Sequence, residues 1–547
     1  MLNSHGIGAE DAKDSHSFAG FTDPDRAEFR VRGISEARAQ AQMEIFRQGQ
    51  KYAALERPCT PEDGILRLDP AEMTALAAAC DAAAGQGRML QFVPASGAAT
   101  RMFKSLTAVM NRSERPAFAD LEKAAGDADA KETATWFHGL RRFAFFPSLR
   151  DSLAAAGRDL EELIESRDYA PILETMLTAR GLRFSEQPKA LIPFHAYPDG
   201  PRTAFEEQLA EAARLVRNGE GLCRLHFTVS AEHESAIQDL LESLRGKYAA
   251  SGIRFEVGLS LQQAATDTLA AGADNWPLRN ADGTLCFRPG GHGALLGNLQ
   301  RLGGDLVFIK NIDNVVPDRL RAGVLLWRRA LGGHLIGLQS RSFAHLETLR
   351  TARAEWGRED ERFTEALEAA ALFLHRDLAV RPPESMRAHP NDAAGRESKL
   401  RYLLDALDRP LRVCAMVRNQ GEPGGGPFWV RGRDGTLRPQ IVESAQVDAG
   451  NSGQRAIAAS ATHFNPVDLV CALRDFQGKA YALQDFVDAE ACFTTTKSKD
   501  GKTLRALELP GLWNGSMAEW NTVFVEVPVE TFNPVKTVND LLRPNHQ

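Results

Sequence analysis

The stretch Leu306-Val307-Phe308-Ile309-Lys310-Asn311-Ile312-Asp313-Asn314 reads as an apolar strand, Leu306–Lys310, running into a short polar turn. A brief apolar run bounded by polar signals fits a strand buried on both faces. In open α/β sheets, ligands bind beyond the carboxyl ends of such strands. A carboxylate placed there, Asp313, suits Mg²⁺, which is usually held by one or two carboxylates together with phosphates. The same place also suits Asp313 or Asn314 as the N-cap of a following helix, expected from about Asp318 to Leu331.

Upstream, Met89-Leu90-Gln91-Phe92-Val93 reads as a second buried strand. It leads into Pro94-Ala95-Ser96-Gly97-Ala98-Ala99-Thr100-Arg101, a small-residue turn whose backbone N–H groups can cradle phosphate oxygens. Arg101 adds a directional charged donor. The turn lacks the Gly-Lys-Ser/Thr ending of a Walker A loop, and tight strand–helix turns also occur without ligands. Before it, Asp69 as N-cap, Pro70 and Glu72 open a helix that Gly85 and Gly87 close. After it, strands at Leu225–Val229 and Ile253–Leu259 alternate with helices. One of these starts from a Thr203–Glu206 capping box and runs to about Arg217, and another spans about Glu232 to Lys247. Such alternation indicates an α/β sheet of parallel strands joined by helical crossovers. Later strands fall at Arg412–Val417, Gln440–Val442 and Thr522–Val527. Helical insertions cover about 105–185 and 340–406, the second ending near Pro382-Pro383. The resulting organisation is an arm at 1–88 with one helix in its irregular first part, a core at 89–339, the insertion at 340–406, and a return to the core at 407–547.

Three more segments carry chemistry-bearing residues. Gln187-Pro188-Lys189 sets a lysine ahead of the apolar Ala190–Phe194 run, positioned for an anion or simply solvated. Phe287-Arg288-Pro289-Gly290-Gly291-His292-Gly293 surrounds one histidine with glycines that permit close approach of a flat ligand. No cysteine or carboxylate lies at metal-ligand spacing from His292, which argues against zinc. Glu530-Thr531-Phe532-Asn533-Pro534-Val535-Lys536 places a lysine after a proline-stiffened turn, as a point charge for a phosphoryl group.

The chain has 547 residues, 43% apolar and 25% charged, with a net charge of −7. That balance argues against a broad nucleic-acid footprint, which needs a dominant basic face. The start Met1-Leu2-Asn3-Ser4-His5-Gly6 lacks a signal-peptide pattern, and no apolar run reaches membrane-spanning length. Seven scattered cysteines without a CxxC pair fit reduced thiols. A cytoplasmic protein without nucleic-acid or membrane partners is expected; nothing in the sequence sets its oligomeric state.

Taken in order, these segments resemble the sugar-1-phosphate nucleotidyltransferases, closest to the UDP-sugar pyrophosphorylases. Ser96-Gly97-Ala98-Ala99-Thr100-Arg101 stands where that superfamily has Gly-Gly-x-Gly-Thr-Arg, and Pro188-Lys189 resembles its Pro-Lys pair. Pro289-Gly290-Gly291-His292-Gly293 is similar to Pro-Pro-Gly-His-Gly, and Asn311-Ile312-Asp313-Asn314 to Asn-x-Asp-Asn. Phe532-Asn533-Pro534-Val535-Lys536-Thr537-Val538-Asn539-Asp540-Leu541-Leu542 is similar to Phe-Leu-Pro-Val-Lys-Thr-Thr-Ser-Asp-Leu-Leu. The whole chain also resembles an uncharacterised bacterial family known as a domain of unknown function.

The resemblance implies a three-layer, GT-A-like and Rossmann-like mixed sheet. It also implies a Mg²⁺-dependent reaction of a nucleoside triphosphate, UTP above others, with a sugar 1-phosphate. Arg101, Lys189 and Lys536 would then be catalytic, and Ser96, Gly97, Ala98, Thr100, Gln262, Gly291 and His292 would bind the nucleotide. Asn311, Asn314, Glu443 and Asn465 would contact substrate, and Asp313 would hold the metal. The chain departs from the pattern where Ser96 and an alanine replace loop glycines. It departs again where the helical stretch separates the loop from Lys189, which leaves Lys104 as a rival for that lysine's role. A non-catalytic nucleotide or sugar-nucleotide sensor on the same fold is the alternative. A glycosyltransferase using a preformed nucleotide sugar is the weaker third.

Overall fold

The computed structural model describes residues 20–113, 116–124, 126–355, 360–387, 392–422, 424–499 and 502–547. The opening segment Met1–Gly6 therefore lies outside the described residues. The chain divides into two compact units, one from residues up to Gln50 with Gln263–Gly290 and Thr494–Glu508, the other from Lys51–Gln262, Gly291–Phe493 and Leu509–Gln547.

The larger unit is built on a nine-stranded sheet. In chain order its main strands are β1 (Ile65–Leu66), β2 (Met89–Pro94), β3 (Leu222–Val229), β4 (Arg254–Leu261), β5 (Leu306–Lys310), β6 (Leu411–Arg418), β7 (Asp468–Ala472) and β8 (Asn521–Glu526). They lie in the order β1-β8-β6-β7-β5-β2-β3-β4, and His463–Phe464 pairs with β6 off this path. β7 runs antiparallel to both β5 and β6. The β5–β2–β3–β4 block is parallel throughout. The sheet is thus mixed, with a parallel half of the kind the strand–helix alternation predicts.

In that half the chain proceeds outward from β2 through β3 to β4, then crosses back to place β5 on the other side of β2. The reversal leaves a crevice beyond the carboxyl ends of β2 and β5, the place where open α/β sheets take ligands. Both strands are buried along nearly their whole length, which explains their mainly apolar sequence.

The helix Met73–Gly85 begins one turn later than Asp69 suggests: Asp69 Oδ1 instead accepts the Ala71 N–H in a turn, and no side chain caps the helix. Thr203 does cap Ala204–Leu215, accepting the Glu206 N–H at 3.2 Å. Glu206 does not return the bond, because its carboxylate holds Lys247 at 2.8 Å. The helix expected to stop near Leu331 runs from Asp318 to Glu355. Gly332 and Gly333 let it press against Met73–Gly85, with Cys80 and the Leu76 backbone where side chains would stand. Helices Glu384–Arg387 and Ala393–Leu407 follow Pro382-Pro383, so the prolines do not close the helical stretch.

The smaller unit carries two helices before Gln50, Asp23–Arg32 and Glu36–Gln48, rather than one. They accompany a four-stranded sheet ordered Phe493–Lys499, Lys502–Glu508, Thr268–Ala271, Phe287–Arg288. Arg279 grips Asp25 with two 2.8 Å hydrogen bonds and holds its carboxyl down to about 2. No helix among the described residues is long and apolar enough to cross a membrane, and all seven cysteines are buried.

Candidate functional site

The turn after β2 is clamped from both sides. Lys189 N–H donates to Gly97 O and Ala99 N–H to Gln187 O, while the Ser230 hydroxyl donates to Ser96 O at 3.2 Å. These bonds use carbonyls and leave the N–H groups of Ser96, Gly97 and Ala98 without acceptors among the described residues. All three residues are exposed, and no atom lies within 4 Å of where a Gly97 Cβ would stand. Consecutive free amides of this kind suit an anion. Thr100 is also exposed, its hydroxyl near Ser185 O at 3.4 Å.

Beside this turn, past the end of β5, Lys189 Nζ lies 2.7 Å from Asp313 Oδ2 and 2.7 Å from Val535 O. Val535 N–H returns a bond to Asp313 O at 3.1 Å, and Val538 N–H donates to Met102 O at 3.0 Å. The C-terminal motif is thereby stitched to both the Asp313 loop and the segment after Arg101. Lys536, between those two bonds, is exposed; so are Arg101 and Lys104. None of these three cations has a partner among the described residues. Lys189 rather than Lys104 therefore meets Asp313.

Neither Asp313 nor Asn314 caps the long helix, which starts at Asp318. Asn314 is 1% exposed, and its Oδ1 accepts the Asn533 N–H at 2.9 Å. Asn311 remains half-buried at the surface of the turn. Asp313 Oδ2 holds Lys189, and its Oδ1 meets no donor among the described residues. No cluster of three or more His, Cys, Asp or Glu side chains capable of holding a metal occurs among the described residues. A single carboxylate fits a cation whose remaining ligands arrive with a phosphate substrate, as is usual for Mg²⁺.

His292 follows Gly291, whose φ of 75° is a conformation natural to glycine. Leu512 N–H donates to His292 Nδ1 at 2.9 Å, so the neutral ring carries its proton on Nε2, 3.5 Å from Glu443 Oε1. The imidazole stacks on Trp513 with centroids 4.1 Å apart. Gly511 must lack a side chain, because a Cβ there would meet His292 Cε1 at 2.5 Å. The loop Pro510-Gly511-Leu512-Trp513-Asn514 escaped the sequence reading; its signal was an aromatic residue enclosed by turn formers. Gln262 stands half-buried just past the end of β4, and Asn465 is buried, with Oδ1 accepting the Val467 N–H at 3.0 Å.

A polar layer supports the crevice from below. The helix Ala204–Leu215 buries Glu206, Glu207, Gln208 and Glu211. Gln208 Nε2 donates to Asn311 O at 3.0 Å, and its Oε1 accepts from Gln91 of β2 at 2.7 Å. Glu211 accepts from Lys310 at 2.9 Å and from Arg328, which also holds Asp468 at 3.0 Å. Burial raises the Glu211 carboxyl, but Lys310 and Arg328 outweigh it and keep it below the usual range. Buried charges of opposite sign, paired across the helix and the strands, hold the β2 and β5 ends in one geometry.

The chain belongs to the family described as "Domain of unknown function (DUF4301)", whose model matches residues 22–547. No curated protein matches it. Among solved structures it is similar to a uridine diphosphate N-acetylglucosamine pyrophosphorylase from Trypanosoma brucei in complex with an inhibitor. There the identity is 13%, the coverage 95% of this chain and 79% of that one, and the TM-score 0.47. It is also similar to a variant UDP-glucose pyrophosphorylase from Leishmania major in complex with UDP-glucose, at 14% identity, 95% and 77% coverage and a TM-score of 0.42.

Proposed function

We propose that this protein is a sugar-1-phosphate nucleotidyltransferase, joining a sugar 1-phosphate to a nucleoside triphosphate, with UTP first, and releasing pyrophosphate. The observation that carries this reading is the convergence around the Lys189–Asp313 pair. Three free, exposed amides and the unpartnered cations Arg101 and Lys536 stand on segments bonded directly to that pair or to each other. The motif order that resembles the UDP-sugar pyrophosphorylases supports it independently, as does a sheet whose crevice lies at the same loops.

In the proposed reaction a sugar-phosphate oxygen attacks the nucleotide α-phosphorus in line. A new P–O bond forms, the α–β bridge breaks, and its electrons leave on pyrophosphate. The nucleophile is already ionised, so no general base is needed, and positioning with charge neutralisation does the work. The Ser96–Ala98 amides and Arg101 bind the leaving phosphates. Lys189, with two of its three N–H bonds committed, offers the third to the same group and orients Asp313. Lys536 stabilises charge growing at the α-phosphate. Mg²⁺, held by Asp313 and substrate oxygens, would supply further neutralisation of the phosphates. Gln262, Gly291 and His292 read the nucleoside, and Glu443, Asn311 and Asn465 contact the sugar. The corresponding fold is the three-layer GT-A-like one. Pyrophosphate release from UTP, tested across a panel of sugar 1-phosphates, checks the reading. Tight nucleotide binding without pyrophosphate release from any pair favours the sensor reading instead.

A further inference from the structure

A polar cavity of about 270 Å³ lies along one face of β3 and β4, lined among others by Arg224, His226, Glu256, Ser260, Asn298 and Arg301. Arg224 and Glu256 stand near the starts of β3 and β4, Asn298 and Arg301 on the helix Leu296–Arg301. None of these residues takes part in the site described above.

Three features make it a built site. His226 is seated deliberately: it stacks on Phe92 at 5.9 Å, and a Cβ at Gly258 would meet its Nδ1 at 2.5 Å. Its Nε2 lies 2.7 Å from Ser260 Oγ, which accepts from Asn298 Nδ2 at 2.6 Å. Among the described residues His226 Nε2 is the acceptor that remains for the Ser260 hydroxyl proton, so the neutral imidazole carries its own proton on Nδ1. Burial and then the nearby Arg301 charge hold the pKa of this ring below the ordinary imidazole value. Asn298 is 1% exposed, and its Nδ2 also donates to Leu261 O at 3.0 Å, which fixes the orientation of the amide. Its Oδ1 is buried without a partner, a costly state that a ligand O–H or N–H would relieve. Arg301 is exposed and has no hydrogen-bond or ion-pair partner among the described residues, while Arg224 gives one N–H to Gly87 O at 2.9 Å.

We propose that this cavity binds a small phosphomonoester carrying a free hydroxyl: Arg301, Arg224 and the His226 Nδ1–H receive the phosphate, and Asn298 Oδ1 takes the hydroxyl. Glycerol 3-phosphate is a suitable probe, with inorganic phosphate and glycerol as its two halves. The titrations use full-length Arg101→Ala protein, in which phosphate binding at the loop after β2 is weakened. Calorimetry should give saturable binding of glycerol 3-phosphate, weaker binding of inorganic phosphate, and none of glycerol. Adding Arg301→Ala, an exposed change that spares the fold, should weaken it about tenfold or more, as loss of a charge-assisted contact does. The His226 ring resonances should move on saturation. Absence of saturable binding overturns the proposal, and so does binding that Arg301→Ala leaves unchanged.

Discussion

Lys189 and Asp313, 124 positions apart in the chain, meet as a 2.7 Å ion pair whose side chains are only 13% and 10% exposed. The pair joins the segment clamped onto the β2 turn to the loop leaving β5, and so sets the width of the crevice between them. Lys189→Met strands a largely buried carboxylate. It should cost about 1–3 kcal/mol, below the toll for a fully buried pair. Adding Asp313→Asn should recover part of that loss, so a double-mutant cycle by urea denaturation reads a coupling of about 1 kcal/mol or more. Additive single effects would show that the two side chains act independently.

Gly97→Ala separates ligand space from folding. Nothing lies within 4 Å of the added Cβ, and Gly97 is not in the left-handed region. Stability should therefore hold or rise by about 0.4–1 kcal/mol through the unfolded chain. Turnover should fall at least tenfold if a phosphate rests on this backbone, so Tm and kcat/KM measured together decide the matter. Unchanged kcat/KM would remove the turn from the site.

Lys536 is exposed and without a partner among the described residues. Lys536→Met should leave denaturation midpoints within about 0.5 kcal/mol of the parent. It should lower kcat by roughly 10²–10³-fold, the scale of losing one preorganised charge-stabilising group. A normal kcat would assign Lys536 to the solvated surface.

His546 donates to or accepts from His195 at 2.9 Å, and the adjacent Asn545 bonds Asn533 of the Lys536 segment. Burial first, then the charges of His195, Arg543 and Arg319, lower its pKa from 6.5 to about 3. The unfolded chain takes up this proton near pH 6.5, the folded chain only near pH 3. Stability is therefore fully present above pH 6.5 and declines as the pH falls toward 3, by at most about 1.4 kcal/mol per pH unit for one proton. His546→Gln should flatten the dependence of Tm on pH between 7 and 4. An unchanged slope would place the acid sensitivity elsewhere.

The strands that build the crevice were legible because they are buried on both faces. Leu306–Lys310 is read to the residue, and Met89–Val93 falls one short of its observed end at Pro94. The length of Asp318–Glu355 was not legible: glycine ordinarily disfavours a helix interior, whereas Gly332 and Gly333 here serve close approach to Met73–Gly85. Capping patterns misled where a side chain had a stronger partner elsewhere, as Glu206 has in Lys247. The pairing of Lys189 with Asp313 and Val535 is a product of topology, and no local spacing foretells it. The buried charges of Ala204–Leu215 were visible as Glu206-Glu207-Gln208 and Glu211, but their partners Lys310, Arg321 and Arg328 lie far along the chain.

Joining a sugar phosphate to a nucleotide on the α-phosphorus would convert the pair into pyrophosphate and a diphosphate diester. Phosphorus-31 NMR of the full-length protein with UTP, Mg²⁺ and a mixture of sugar 1-phosphates follows every phosphorus atom at once. Pyrophosphate and a diphosphate diester signal should grow together, one for one, and Asp313→Asn should abolish both while the protein stays folded. Growth of inorganic phosphate alone, or an Asp313→Asn protein that turns over at the parent rate, would contradict that reaction.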